Sequence, residues 1–231
     1  MVERQQELAA GLEKVRSQVT TACADAGRDP AEVTLVVVTK TYPASDIRLL
    51  AGLGVREVGE SRDQEASAKV AESADLDLTW HFIGRLQSNK ARHVGRYADV
   101  VHSLDRLSLV GGLERGAAET DRRVRCFVQL SLDGDNSRGG ALASEVPALA
   151  DAIAASDHLE LAGLMAVSPV TWDPDAAFAD LLAASEHLQR QHPEATSISG
   201  GMSGDFMQAL RHGATHLRVG SAVLGQRPPL G

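Results

Sequence analysis

The sequence alternates between short apolar segments and longer segments with helical periodicity. The first apolar segment, residues 33–40, is rich in valine and lies between Pro30 and Pro43, which is typical of a strand buried on both faces. Further segments of this kind follow at residues 55–59, 80–84, 99–103, 124–130, 159–167, 196–199 and 216–219. Eight strands that alternate with helices predict an α/β protein, a single parallel (β/α)8 TIM barrel.

One extra helix is expected before the barrel, at residues 3–26. Its apolar positions recur at steps of four and three, at Leu8, Leu12, Val15, Val19 and Cys23. No domain boundary, low-complexity tract or repeat is visible, so residues 1–231 are predicted to form one domain. A doubly wound open sheet is the alternative, but it normally carries a glycine-rich fingerprint after its first strand, where this chain has Thr41, Tyr42 and Pro43.

The composition of the chain argues against two classes of function. A net charge of −8 and only 3% aromatic residues argue against binding of nucleic acid or of an anionic membrane, since both need clustered lysine and arginine. The chain begins with charged residues and no apolar run approaches membrane-spanning length, so a cytoplasmic protein is expected. Once the first helix is packed on the barrel, no exposed apolar stripe remains that a second copy of the chain could cover, so a monomer is expected.

Neither the cysteines nor the histidines predict a metal site. Cys23 and Cys126 lie far apart without metal-binding spacing, which predicts reduced thiols. His212 and His216 have i,i+4 spacing, but Gly213 would break a helix between them.

Lys40 ends the first predicted strand and is the first candidate for chemistry. The chain has only four lysines, at positions 14, 40, 69 and 90, and its other basic side chains are arginines. Only a primary amine can lose its proton and attack an aldehyde, so a lysine at this strand end is consistent with Schiff-base formation. A lysine that merely extends into water is the alternative.

The loops after the seventh and eighth predicted strands are polar and rich in glycine. Residues 199–205 read Ser-Gly-Gly-Met-Ser-Gly-Asp, with Ser203 predicted as the N-cap of a helix, and residues 218–221 read Arg-Val-Gly-Ser. N–H groups at two helix starts, accessible backbone and two hydroxyls can form a cradle for an anion. Alternatively, these serines and glycines only cap the helices and form the turns.

Strands one and eight are neighbours in a closed barrel, so Lys40 is expected beside these two loops. An amine, an arginine and a phosphate cradle together favour pyridoxal 5′-phosphate (PLP) as the cofactor. The aldehyde would react with Lys40, the phosphate would lie on the last two loops, and the ring nitrogen would face Arg218. An arginine there keeps the nitrogen unprotonated, so the ring would be a weak electron sink.

Motifs spread along residues 33–225 resemble, in the same order, those of the pyridoxal phosphate homeostasis protein family. They are Thr39-Lys40-Thr41, Gly59-Glu60, Trp80-His81-Phe82-Ile83-Gly84, Leu86-Gln87, Asn89-Lys90, Gly163-Leu164-Met165, Gly201-Met202-Ser203 and Arg218-Val219-Gly220. The resemblance implies a fold similar to the barrel domain of alanine racemase, without that enzyme's second, β-rich domain. It also implies a role in buffering or delivering PLP inside the cell, with no catalytic turnover and with apo PLP-dependent enzymes as recipients.

The resemblance assigns roles to individual residues. It makes Lys40 the Schiff-base lysine and Arg218 the partner of the ring nitrogen. Met202 and His81 lie within matching motifs and are further candidate contacts, with a structural role as the alternative for His81. The implied phosphate contacts are Ser203, Gly220 and Ser221.

Two positions depart from the family pattern. After the second strand the family has Gly-Glu-Asn, and Ser61 replaces the asparagine here, which is expected to weaken a cofactor contact. After the fifth strand the family has Ser-Lys-x-Gly, and Arg138 replaces the lysine. Because arginine cannot form a Schiff base, PLP transfer through a second lysine is not expected at this position. Arg138 is instead a candidate donor to the ring hydroxyl.

Two other functions stay open on the sequence alone. A racemase-like PLP enzyme acting on amino acids would need a second acid or base opposite Lys40, and the two tyrosines, Tyr42 and Tyr97, are poorly placed for it. A barrel enzyme that forms a Schiff base between Lys40 and a sugar phosphate would need no PLP. Residues 201–205 resemble a nucleophile elbow, but the fifth residue is Asp rather than Gly and a barrel is the wrong scaffold.

Overall fold

Eight parallel strands pair in sequence order and close into a barrel, with β8 beside β1. The computed structural model describes residues 2–225, so residue 1 and residues 226–231 of the predicted domain lie outside the described residues. The strands are β1 (Thr34–Val38), β2 (Glu57–Glu60), β3 (Thr79–Phe82), β4 (Val100–Leu104), β5 (Val124–Gln129), β6 (Leu159–Met165), β7 (Ser197–Ser199) and β8 (His216–Val219). The predicted (β/α)8 barrel is confirmed.

Helices connect the strands and cover the outside of the barrel. They are α1 (Val2–Asp25), α2 (Ala44–Gly52), α3 (Asp63–Glu72), α4 (Ser88–Gly95), α5 (Leu107–Ala118), α6 (Val146–Ala154), α7 (Pro174–Gln189), α8 (Phe206–Arg211) and α9 (Ser221–Leu224). Local sequence explains the start of α7, where the Asp173 carboxylate accepts a hydrogen bond from the Asp175 N–H at 3.2 Å and Pro174 occupies the first turn. Within residues 2–225, no helix combines the length and the apolar content that crossing a bilayer requires.

The N-terminal helix α1 packs on the barrel side formed by α8, α9 and α2. Its predicted apolar stripe is buried at every position. A Cβ on Gly11 would lie 2.4 Å from the carbonyl oxygen of Val223, so α1 and α9 approach more closely than any side chain would allow. Cys23 and Cys126 are both free and buried, as expected for reduced thiols, and burial raises the pKa of each.

The predicted helix start at Ser203 is wrong. Helix α8 begins at Phe206, after a single isolated turn in which the Met202 carbonyl accepts from the Asp205 N–H at 3.1 Å and the Phe206 N–H at 3.0 Å. In that turn Gly201 has φ +89°, and the Asp205 carboxylate accepts a hydrogen bond from the Met202 N–H at 2.6 Å. The side chain that organises the loop is therefore Asp205.

The inside of the barrel is polar over much of its height. Bulky branched residues usually fill such an interior. Here a small apolar group (Val100, Phe127, Ala162 and Met165) shares the space with polar side chains. These buried polar side chains include His81, His102, Ser199, His216 and Arg218. Burial lowers the pKa of His216 to about 3 and that of His102 well below its ordinary value, so both rings are neutral at pH 7.

Candidate functional site

Lys40 lies in a tight turn just beyond β1, at the rim where the carboxyl ends of the strands meet. The Tyr42 N–H donates to the Thr39 carbonyl at 3.1 Å and closes the turn. Thr41 has φ 72°, a left-handed conformation that is strained for a β-branched residue. The neighbouring structure must therefore hold this turn in place.

A buried ionic cluster, called here the Lys69 cluster and formed by Lys69, Glu60 and Glu65, holds the turn. The Lys69 ammonium donates to Glu60 Oε1 and Glu65 Oε1, each at 2.7 Å, and to the Thr39 carbonyl at 2.9 Å. Glu65 Oε1 also accepts from the Thr41 N–H at 2.5 Å, and the Thr39 hydroxyl donates to Glu60 Oε1 at 2.6 Å. The cluster thus fixes the backbone on both sides of Lys40.

The sequence pattern does not identify the Lys69 cluster. Glu65 and Lys69 have i,i+4 spacing on α3, which is usual for an exposed ion pair. Lys69 is only 6% exposed in the structure, and Glu60 is 1% exposed. Burial raises the pKa of Glu60, while the Lys69 ammonium beside it opposes that shift.

Arg218 lies on β8, with its guanidinium buried at the same rim as Lys40. It donates to the Ala166 carbonyl at 2.9 Å and to the Ser199 hydroxyl. Within residues 2–225, no carboxylate forms an ion pair with it. Burial lowers the pKa of Arg218 to about 10, so the side chain stays charged at pH 7. A buried cation held by neutral acceptors is costly, which is typical of a functional position.

The loops after β7 and β8 meet as predicted. The Ser203 hydroxyl accepts a hydrogen bond from the Ala222 N–H at 3.3 Å and joins the two loops. Gly220 precedes α9, and a Cβ there would lie 3.3 Å from the Val38 carbonyl oxygen, so this backbone lies against the end of β1. Ser221 is exposed at the start of α9. The structure therefore brings the three predicted phosphate contacts into one sector of the rim, formed by β1, β7 and β8.

This rim sector fits a phosphate ester that carries an aldehyde and a ring nitrogen. Backbone N–H groups and the hydroxyls of Ser203 and Ser221 suit a phosphate. The Lys40 amine suits an aldehyde. Arg218 offers donors that suit a neutral nitrogen acceptor, because a guanidinium can only donate hydrogen bonds.

Met202 and Ser61 also lie at the carboxyl rim. Met202 belongs to the loop after β7, and 39% of it is exposed. Ser61 follows β2 and lines a cavity of about 560 Å³ together with Phe82 and Arg85. Both remain predicted cofactor contacts.

His81 and Arg138 are engaged outside the rim sector. The His81 ring lies inside the barrel between Glu57 and His102, which supports its structural interpretation. Arg138 follows β5 and pairs with Asp133 and with Asp135 of its own loop. Its predicted contact with the ring hydroxyl would require these ion pairs to open.

His212 and His216 do not lie together. His212 lies 3.1 Å from the Asp175 carboxylate, whereas His216 is inside the barrel near Phe127. No group of three or more histidine, cysteine, aspartate or glutamate residues between residues 2 and 225 is arranged to hold a metal ion.

The barrel, with Lys40 after β1 and the predicted phosphate contacts after β7 and β8, is similar to a known family of domains. The family model described as "Alanine racemase, N-terminal domain" matches residues 12–228. The alanine racemase of Corynebacterium glutamicum has a TM-score of 0.70 at 16% identity, covering 98% of this chain and 62% of that one, and shows the likeness of fold.

Sequence relatives define the family more narrowly. The pyridoxal phosphate homeostasis protein of Mycobacterium tuberculosis is 44% identical over 245 residues, covering 97% of this chain and 95% of the relative. The structure of PipY from Synechococcus elongatus with PLP bound has a TM-score of 0.81 at 37% identity, covering 94% of this chain and 100% of that one. The chain belongs to the pyridoxal phosphate homeostasis protein family.

Proposed function

We propose that this protein binds PLP through Lys40 and acts in PLP homeostasis, by holding and releasing the cofactor without turnover. The observation that carries the proposal is the convergence of Lys40, Arg218 and the cradle at Gly220 in one sector of the rim. Support comes from PipY, whose structure holds PLP and whose sequence is 37% identical.

PLP supplies an aldehyde that condenses reversibly with a primary amine, so that a C=N bond forms and the aldehyde oxygen leaves as water with the two amine protons. Lys40 provides that amine from a turn that the Lys69 cluster holds fixed. The phosphate is bound by Ser203, Ser221 and the backbone at Gly220.

Arg218 determines the protonation state of the PLP ring nitrogen. With a pKa of about 10 it keeps its proton at pH 7 and donates a hydrogen bond instead of transferring a proton. The ring nitrogen then stays unprotonated, and the ring withdraws electrons weakly. This arrangement favours storage of the cofactor over carbanion chemistry.

The positions of the tyrosines also support a carrier. The Tyr42 hydroxyl donates to the Gly225 carbonyl at 2.8 Å, and only 5% of the residue is exposed. The Tyr97 hydroxyl donates to the Asp63 carboxylate at 3.3 Å, and burial raises its pKa. A racemase needs a second acid or base opposite Lys40, and both hydroxyls are committed elsewhere. We place this carrier in the cytoplasm as a monomer, with apo PLP-dependent enzymes as recipients of the cofactor.

The test is absorbance spectroscopy of the purified protein with and without PLP, followed by borohydride reduction and peptide mapping. We expect a Schiff-base band and a label on Lys40, both lost in Lys40→Ala and both retained in Lys14→Ala, a change at an exposed lysine of α1. A label spread over Lys14, Lys69 and Lys90 would overturn the proposal in favour of a sugar-phosphate enzyme. Amino-acid racemisation above the free-PLP rate, lost in Lys40→Ala, would overturn the absence of turnover.

A further inference from the structure

A continuous chain of hydrogen bonds crosses the inside of the barrel from Arg218 to Glu57. Arg218 donates to the Ser199 hydroxyl, which lies 2.8 Å from His102 Nδ1. His102 Nε2 lies 2.9 Å from His81 Nδ1, and His81 Nε2 lies 2.6 Å from Glu57 Oε2. We call Ser199, His102, His81 and Glu57 the interior chain.

The interior chain connects the two rims of the barrel. Ser199 ends β7 at the carboxyl rim, whereas Glu57 begins β2 at the opposite rim. Ser199, His102 and His81 are at most 2% exposed, but 31% of the Glu57 side chain is exposed. The interior chain therefore links a buried cation at the candidate site to a carboxylate that reaches solvent.

With both histidine rings neutral, the Glu57 end fixes the direction of every hydrogen bond in the chain. The Glu57 carboxylate can only accept, so His81 carries its proton on Nε2 and donates to Glu57. His81 Nδ1 then accepts from His102 Nε2, and His102 Nδ1 accepts the proton of the Ser199 hydroxyl. The Ser199 oxygen accepts from Arg218, because a guanidinium can only donate. All four contacts therefore run in one direction, from Arg218 to Glu57.

We propose that the interior chain orients the Arg218 guanidinium toward the ring nitrogen of PLP, with His102 as the central positioning residue; this inference rests on the proposed function. The Ser199 proton is committed to His102, so a lone pair of the hydroxyl oxygen is turned to Arg218 and fixes one edge of the guanidinium. Aligned hydrogen bonds polarise one another, and the Glu57 charge strengthens each acceptor in turn. Loss of His102 leaves the Ser199 hydroxyl free to rotate.

The packing of His102 allows a variant that keeps its shape. Its ring stacks on Phe127 with centroids 4.6 Å apart and an interplanar angle of 18°. His102→Phe keeps an aromatic ring in this stack and removes both nitrogens. His102→Asn loses the ring but keeps an acceptor for the Ser199 hydroxyl. His187→Phe, at an exposed position of α7, is the matched control.

The experiment compares the dissociation constants of PLP and of its carbocyclic analogue, in which C–H replaces the ring nitrogen. Both ligands have the same aldehyde and phosphate, so their affinity ratio measures the contact to the ring nitrogen. We expect His102→Phe to weaken PLP binding by about tenfold, the factor that corresponds to about 1.4 kcal/mol, and to leave the analogue unchanged. The affinity ratio of His102→Phe should then approach that of Arg218→Ala. His102→Asn should restore part of the preference for PLP, and His187→Phe should have the wild-type ratio.

The outcomes separate this inference from the proposed function. If wild-type protein is not labelled at Lys40 by PLP and borohydride, the proposed function fails and the inference falls with it. If the wild type is labelled but His102→Phe keeps the full preference for PLP, the inference alone is wrong. Equal weakening of both ligands would show that His102 only supports the fold, which also contradicts the inference. Should His102→Phe fail to fold, Glu57→Gln at the open rim gives the same test, with an expected loss of preference of about two- to threefold for a weakened hydrogen bond.

Discussion

Replacing Lys69 with methionine should lower both the stability and the PLP affinity of the protein. Lys69→Met keeps the length of the side chain but removes an ammonium that contacts Glu60 and Glu65 at 2.7 Å each. Glu60 is 1% exposed, so its carboxylate would be left buried without its cation. Removing one partner of such a buried pair costs about 3–5 kcal/mol. For a chain of this size that loss lowers the melting temperature by roughly 6–20 °C.

Thermal and urea unfolding measure the loss of stability, and titration with PLP measures the effect on the site. We expect affinity to fall by about tenfold, because the turn at Lys40 loses the hydrogen bond to the Thr39 carbonyl, a loss of about 1–1.5 kcal/mol. Lys14→Met, at an exposed position, should change stability by less than about 0.5 kcal/mol.

A double variant tests whether charge is the cause. Lys69→Met combined with Glu60→Gln removes the buried carboxylate as well, so it should recover about half of the lost stability, because an unpaired buried charge is the main cost. If Lys69→Met is no more destabilising than Lys14→Met, the Lys69 cluster does not hold the turn. If the double variant shows no recovery, the cost comes from packing and the electrostatic reasoning is wrong.

Two further predictions concern the barrel interior and the rim. Burial lowers the pKa of His216 to about 3, below its unfolded value, so its contribution to stability is complete above pH 6.5 and is lost as pH falls toward 3. Between pH 7 and pH 5 the free energy of unfolding should fall by about 2 kcal/mol through this histidine, and urea titrations of His216→Phe should show a smaller pH dependence. An equal slope in the variant would contradict this assignment. At the rim, a Cβ on Gly84 would lie 2.0 Å from the Ser61 carbonyl oxygen, so Gly84→Ala should destabilise by about 1–3 kcal/mol. Gly52→Ala, where nothing lies within 4 Å, should be neutral or stabilising in the same unfolding assay, and similar results for both glycines would refute the steric argument.

The order of strands and helices could be predicted from the sequence because each strand is a local apolar segment. The last strand was predicted at residues 216–219 and occupies His216–Val219. Other boundaries shift by a residue or two; β1 ends at Val38, for example, since the turn at Lys40 leaves the sheet. The start of α8 could not be predicted in this way. Ser203 has the composition of an N-cap, but the Asp205 and Phe206 N–H groups that it would cap donate to the Met202 carbonyl, and its hydroxyl accepts from the Ala222 N–H instead.

The rim sector could also be predicted, because barrel closure places β1 beside β8 whatever the details of packing. The strands that carry Arg218 and lead to Lys40 are therefore neighbours in the fold although they are far apart in sequence. Polar residues inside otherwise apolar strands were a signal for the interior chain. The motif at residues 80–84 includes His81, whereas no sequence motif includes its partner His102.

The barrel, the docked first helix and the sector that carries Lys40 and the predicted phosphate contacts can all be predicted from the amino-acid sequence. The barrel and the helix follow from local apolar patterns, and the sector follows from the rule that the first and last strands of a closed barrel are neighbours. The tertiary structure alone decided which polar groups are buried and what they contact. His102 and Ser199 are 97 positions apart, and their hydrogen bond depends on side-chain directions across the barrel that no local pattern encodes. Lys69 and Glu65 are close in sequence, yet only the packing of α3 on the barrel turns an ordinary surface spacing into a buried ion pair.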